Sequence, residues 1–128
     1  MTESTVVEAL RKSRKNIKDG WTQGSFARTA SGITTDPSSP EAVEWCAYGA
    51  IFARLDFQQD AHWLLSKAVW KIENNIKPDQ EDISIPTITV VAWNDQKGRT
   101  KEQVLAAFDL ATELAQKKES NDKNSNAT

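Results

Sequence analysis

The stretch from Ser39 to Leu55, SPEAVEWCAYGAIFARL, constrains the fold more than any other, because almost every position around it is apolar. Ser39 before Pro40 carries start chemistry: a serine oxygen can accept an orphan N–H, and proline needs no donor at the first helical position. Ala42, Val43, Cys46, Ala47, Ala50, Ile51 and Leu55 then share one helical face, and Trp45, Tyr48 and Phe52 fill much of the rest. A helix apolar nearly all round belongs in the interior, so the spacing predicts one buried central helix over 39–55. Its small residues, Ala42, Cys46, Gly49 and Ala53, predict that the third or the last helix crosses there closely. Gly49 weakens a helix by about 1 kcal/mol relative to alanine, which a crossing backbone would explain.

Three amphipathic segments surround this centre. Thr5 to Lys18 places Val6, Leu10 and Ile17 on one face with Val7 beside them, and Asp19-Gly20 supplies a stop. Its outer side carries Arg11, Lys12, Arg14, Lys15 and Lys18, read as a solvated face rather than a phosphate-binding one. Gln58 to Asn75 carries Ala61, Leu64, Leu65, Ala68, Val69, Ile72 and Ile76 as an apolar stripe. Trp63 and Trp70 flank it, where they widen the buried face, the favoured reading, or offer a face for self-association. Thr100 to Gln103 forms a capping box that opens the last helix, which continues through Val104, Leu105, Phe108, Ala111 and Ala115. The run from Glu119 to Thr128 holds no apolar residue larger than alanine and is predicted to be a disordered tail.

Two stretches resist a periodic reading. The segment GWTQGSFARTASGITTDPSSP is a long Gly/Ser/Thr loop in which Trp21 and Phe26 pin the chain to the core, or Trp21 and Gln23 line a pocket. Gly20 and Gly24 let its backbone approach a neighbour closely. PTITVVAWND is β-branched, yet no second strand is evident to pair with it, so a short helix starting near Pro86 is favoured over an extended segment.

Composition narrows the function classes. With one cysteine and one histidine in 128 residues, a disulfide and a zinc site of the usual Cys/His kind both lack partners. A net charge of −2 argues against bulk nucleic-acid affinity. No apolar run reaches the ~20 residues of a membrane span. The charged N-terminus shows no secretory signal, so a cytoplasmic protein is expected.

The order of motifs, GWTQG, then WCAYGAI, then WND..GRT.EQVL..F..A, resembles an uncharacterised family of short proteins of bacteria and their phages, a domain of unknown function. The resemblance runs from Val6 to Ala115 and implies a single small domain in which these motifs recur together. It implies no activity. Its phage distribution brings in a role as an inhibitor or sequestering protein.

Cys46, His62 and Asp95 or Asn94 stand in an order used by cysteine hydrolases, but a thiol two turns into a packed helix is poorly placed as a nucleophile. Asp95 lacks a second acid for carboxylate chemistry, since Glu41 and Glu44 sit at a helix start. The remaining set is a binding site. Trp93, Asn94, Asp95, Arg99 and Thr100 gather an aromatic, an amide, an acid, a guanidinium and free helix N–H groups, and Trp21 with Gln23 can close over them. The structural counterpart is that Asn94 and Asp95 fold the turn, Thr100 caps the helix and Arg99 pairs with Asp95.

The expectation is therefore a mainly α protein, a small single-domain bundle of four main helices (residues 1–118) with a short helical or extended segment near 86–94. Its expected role is non-catalytic binding of a small anionic or nucleotide-like ligand or of a protein partner, with no cofactor and no metal. The alternatives are a small hydrolase using Cys46, His62 and Asp95, and a weak nucleic-acid binder using the first helix.

Overall fold

The computed structural model describes residues 5–53, 58–77, 80 and 89–126. Helix α1 spans Thr5–Asp19, and it is followed by strands β1 (Ala27–Thr29) and β2 (Ala42–Trp45). Helix α2 covers Ala47–Phe52, α3 Gln58–Glu73, α4 Val90–Asn94 and α5 Lys101–Asn126. The described residues are thus mainly helical, with one small hairpin among them.

Helices α1 and α3 both pack on α5, and the short α2 and α4 close one end of this layer. Val7, Leu10 and Ile17 of α1 are fully buried with Leu65 and Val69 of α3 and Val104 and Phe108 of α5. Each of these lies at helical spacing in its own segment, which is why the three long helices follow from the pattern. The capping box is present: Thr100 Oγ1 accepts from the Gln103 N–H at 3.2 Å, and Gln103 Oε1 accepts from the Thr100 N–H at 3.0 Å. Helix α3 ends at Glu73 and is closed off by Asn75, whose φ of 54° lets the Ile76 N–H reach back to the Lys71 carbonyl at 2.9 Å. Pro78 and Asp79, which follow it in the chain, lie outside the described residues, as does Pro86.

The central segment departs from the expected helix. Residues 42–45 are a strand, paired antiparallel to β1 with Ala27 opposite Trp45 and an irregularity between Arg28 and Thr29. Trp45 also pairs with the loop beside Trp21: its N–H bonds the Gly20 carbonyl at 2.9 Å, and its carbonyl accepts from Thr22 at 3.1 Å. Ser39 does accept an N–H, from Glu41 at 3.2 Å, but this closes a turn and not a helix. The helix starts later, with Cys46 as its cap: Sγ accepts from the Gly49 N–H at 3.2 Å. The loop called structureless in the sequence therefore contains the partner strand that pulls residues 42–45 out of the helix.

Two glycines show why the strand can sit there. A Cβ at Gly49 would lie 2.0 Å from the Phe26 carbonyl oxygen, so the close crossing is real, but the crossing chain is the hairpin and not a helix. A Cβ at Gly20 would lie 2.1 Å from the Val43 carbonyl oxygen. Gly20 is needed for that approach and does not adopt the left-handed conformation expected of a helix stop.

Residues 90–94 form the short helix α4, capped by Thr89, whose Oγ1 accepts from the Ala92 N–H at 3.0 Å. Helix α5 continues through the polar run to Asn126, where the sequence predicts a disordered tail from Glu119. Once a helix is nucleated, each further residue adds a hydrogen bond, so polarity alone does not end it. Trp63 is 51% exposed with the Lys67 ammonium 5.8 Å from its ring, and Trp70 is half-buried. None of the described helices is long and apolar enough to cross a membrane.

Candidate functional site

Asn94 joins the long loop to the turn after α4. It is wholly buried, and its Oδ1 accepts from Trp21 Nε1 at 2.8 Å and from the Ala47 N–H at 3.0 Å. Its Nδ2 donates to the Thr22 carbonyl at 3.1 Å and to Asp95 Oδ1 at 3.0 Å. Gln23 adds two bonds from Nε2, to the carbonyls of Asn94 (2.8 Å) and Gln96 (2.9 Å). The Gly24 N–H donates to Asp95 Oδ1 at 3.0 Å. Loop, turn and the start of α2 are thereby locked into one unit, as the pairing of GWTQG with WND in the sequence anticipates.

The other expected site residues are engaged internally. Trp93 is fully buried, its Nε1 donating to Glu73 Oε1 at 2.7 Å, and the Arg99 guanidinium covers its ring at 4.1 Å. Arg99 donates further to the Trp93 carbonyl at 2.9 Å, to Glu73 and to Gln96. Its acidic partner is Glu73 and not Asp95, because the guanidinium lies over the indole on the side facing α3. Thr100 is occupied by the capping box. Trp21, Gln23, Trp93, Asn94, Arg99 and Thr100 thus form a scaffold, and Asp95 lines a cavity beside it.

That cavity, about 290 Å³, opens beside the scaffold between the loop, the N-terminus of α2 and α4. Ser25, Phe26, Thr34, Cys46, Val91 and Asp95 line it, over the backbone of Gly24. Its floor is buried at Cys46, and its rim is exposed at Phe26, Thr34 and Asp95. Ser25 Oγ lies 2.9 Å from Thr34 Oγ1, fixing one wall. Phe26 leans on Tyr48 with ring centroids 5.1 Å apart, fixing another. Sequence reasoning missed Phe26, Thr34 and Val91 as lining residues. They belong to the loop, the hairpin turn and α4, and only the hairpin brings them together.

Burial pushes the Cys46 thiol up in pKa, the nearby Asp95 carboxylate adds to the rise, and the N–H groups of Gly49 and Tyr48 oppose it. A thiol held protonated is a weak nucleophile. His62 does not line the cavity. Its ring packs edge-on against Tyr48 (5.4 Å) and near Phe52 (6.0 Å), and burial lowers its pKa. The structure therefore brings Cys46 and Asp95 to one cavity and leaves the imidazole out of it.

On α1, Lys12 pairs with Glu8 (2.8 Å), Lys15 with Asp19 (2.9 Å) and Arg14 with Asp109 (2.6 Å), so acids are interleaved with the basic face. Among the described residues no cluster of three or more His, Cys, Asp or Glu gathers to hold a metal.

These features define a small helical domain whose hairpin and Trp-Asn-Asp turn frame a mixed-polarity cleft. Residues 1–114 match the model described as Family of unknown function (DUF6197), and the chain belongs to that family. No curated protein and no solved structure matches the chain.

Proposed function

We propose that the protein is a non-catalytic binding module for a small organic molecule, held in the cleft between the loop and α4. The observation that carries this reading is the cavity itself: about 290 Å³, near the lower end of the ~300–1,000 Å³ of small-molecule sites. Convergent polar groups stand on an otherwise apolar lining, the usual composition of such sites. The scaffold supports the reading, since Asn94 holds three segments rigidly around the opening, and a preorganised site loses less entropy on binding. A catalytic role has less support, because the buried thiol is kept protonated and lacks an imidazole beside it.

The test is an amide-resolved NMR screen of a diverse fragment library on the intact protein. Hits are expected to shift the amides of Gly24, Cys46, Val91 and Asp95 together, and Val91→Phe, which fills the cleft, is expected to abolish those shifts. Hits clustering elsewhere, or none in the cleft, overturn the proposal.

A further inference from the structure

We infer that the molecule bound in this cleft carries a cationic nitrogen, an ammonium or amidinium on a short apolar body, which Asp95 and the Phe26 ring receive. The inference deepens the binding reading above and rests on it.

Its first ground is the carboxylate. Asp95 Oδ1 is spent on the Gly24 N–H (3.0 Å) and on Asn94 Nδ2 (3.0 Å), whereas Oδ2 has no hydrogen-bond partner among the described residues. The bonds to Oδ1 hold the carboxylate in one orientation at the rim. A carboxylate with an open oxygen at the rim of a cavity is matched by a charged donor, whose hydrogen bond is about twice as strong as a neutral one.

The second ground is the aromatic rim. Phe26 is 47% exposed although its ring is positioned by Tyr48, which in turn stacks on Phe52 at 4.4 Å. An exposed phenyl ring attracts cations to its face through its quadrupole, more strongly as water is excluded. Val91 provides a wall for an alkyl segment.

The third ground is what the lining lacks in charge. None of its side chains is cationic, so an anion would enter beside the Asp95 carboxylate with no cationic side chain in the lining to meet it. Arg28 comes near, its Nη2 3.6 Å from where a Cβ on Gly24 would lie, but it does not line the cavity. Its guanidinium donates to Thr22 Oγ1 (3.0 Å), to the Gly32 carbonyl (3.1 Å) and to the Gln23 carbonyl (3.2 Å). Arg99 is likewise engaged with Trp93, Glu73 and Gln103.

Three probes of the same size and different charge test this: n-butylammonium, n-butanol and n-butyrate, titrated against the intact protein and followed at the Gly24, Thr34 and Val91 amides. Butylammonium is expected to shift these amides at the lowest concentration. Asp95→Asn keeps one oxygen for Gly24 while removing the charge, and it is expected to weaken butylammonium roughly tenfold or more and butanol far less. Should that variant lose its fold, Phe26→Leu serves instead and is expected to weaken butylammonium severalfold more than butanol. Equal response to the three probes, stronger binding of butyrate, or butylammonium binding indifferent to both substitutions overturns the cation inference. Those results leave the cleft a binding site. Absence of shifts from all three overturns the inference too, and the binding reading then stands or falls on the fragment screen alone.

Discussion

Replacing Asn94 by alanine tests the scaffold at its weakest number of atoms. One buried amide makes four hydrogen bonds to three segments: Trp21 Nε1, the Ala47 N–H, the Thr22 carbonyl and Asp95 Oδ1. Removing it strands the Ala47 N–H in a fully buried position and the Thr22 carbonyl in a half-buried one. A buried donor or acceptor left unsatisfied costs about 1–3 kcal/mol. The Trp21 indole, being half-buried, recovers part of its loss by bonding water. The sum is about 3–5 kcal/mol, a large share of the ~5–15 kcal/mol that holds a domain together. Urea unfolding followed by circular dichroism reads the loss as a lowered midpoint at unchanged slope. Hydrogen exchange at the Ala47 amide is expected to quicken with it. Asn94→Asp keeps the size and the Oδ1 acceptor but sets a carboxylate oxygen against the Thr22 carbonyl and Asp95, so it is expected to be comparably destabilised at neutral pH. A loss below about 1 kcal/mol in Asn94→Ala, or a neutral Asn94→Asp, refutes the claim that this amide holds loop and turn together.

The remaining predictions concern packing and protons. Gly49→Ala would stabilise an isolated helix by about 1 kcal/mol. Here the new Cβ falls 2.0 Å from the Phe26 carbonyl oxygen, so a net loss of about 2 kcal/mol is expected in the same urea assay, and a gain contradicts the close crossing. His62 has its pKa lowered by burial, so its contribution is present above the unfolded value of ~6.5 and is lost as pH falls below it. A thermal-melt series from pH 8 to 5 is expected to be flatter in His62→Gln, and an unchanged slope counts against the buried imidazole. Cys46 is shifted the opposite way, so its contribution is lost as pH rises above the ordinary thiol value of ~8.5. The alkaline fall in melting temperature is expected to shrink in Cys46→Ser, and an identical fall refutes that assignment.

The sequence by itself determined the long helices, because the evidence for each is local. The stripes of α1 and α3, and the Thr100–Gln103 box that opens α5, are complete within a few turns of chain, and a period of 3.6 residues needs no distant partner to be recognised. It also brought Trp21, Gln23, Asn94 and Asp95 under suspicion together, and the structure joins them by hydrogen bonds. The tertiary structure alone decided the segment from Ala42 to Phe52. Its apolar residues satisfy a helix as well as they satisfy a strand followed by a short helix, and the arbiter is the pairing of Trp45 with Ala27 and of its other edge with Gly20. Strand pairing joins residues far apart in the chain, so no window of sequence contains it. The same non-local pairing moves Cys46 from the middle of a helix to its cap and sets Phe26 and Thr34 beside Asp95, which makes the cleft a property of the fold rather than of any motif.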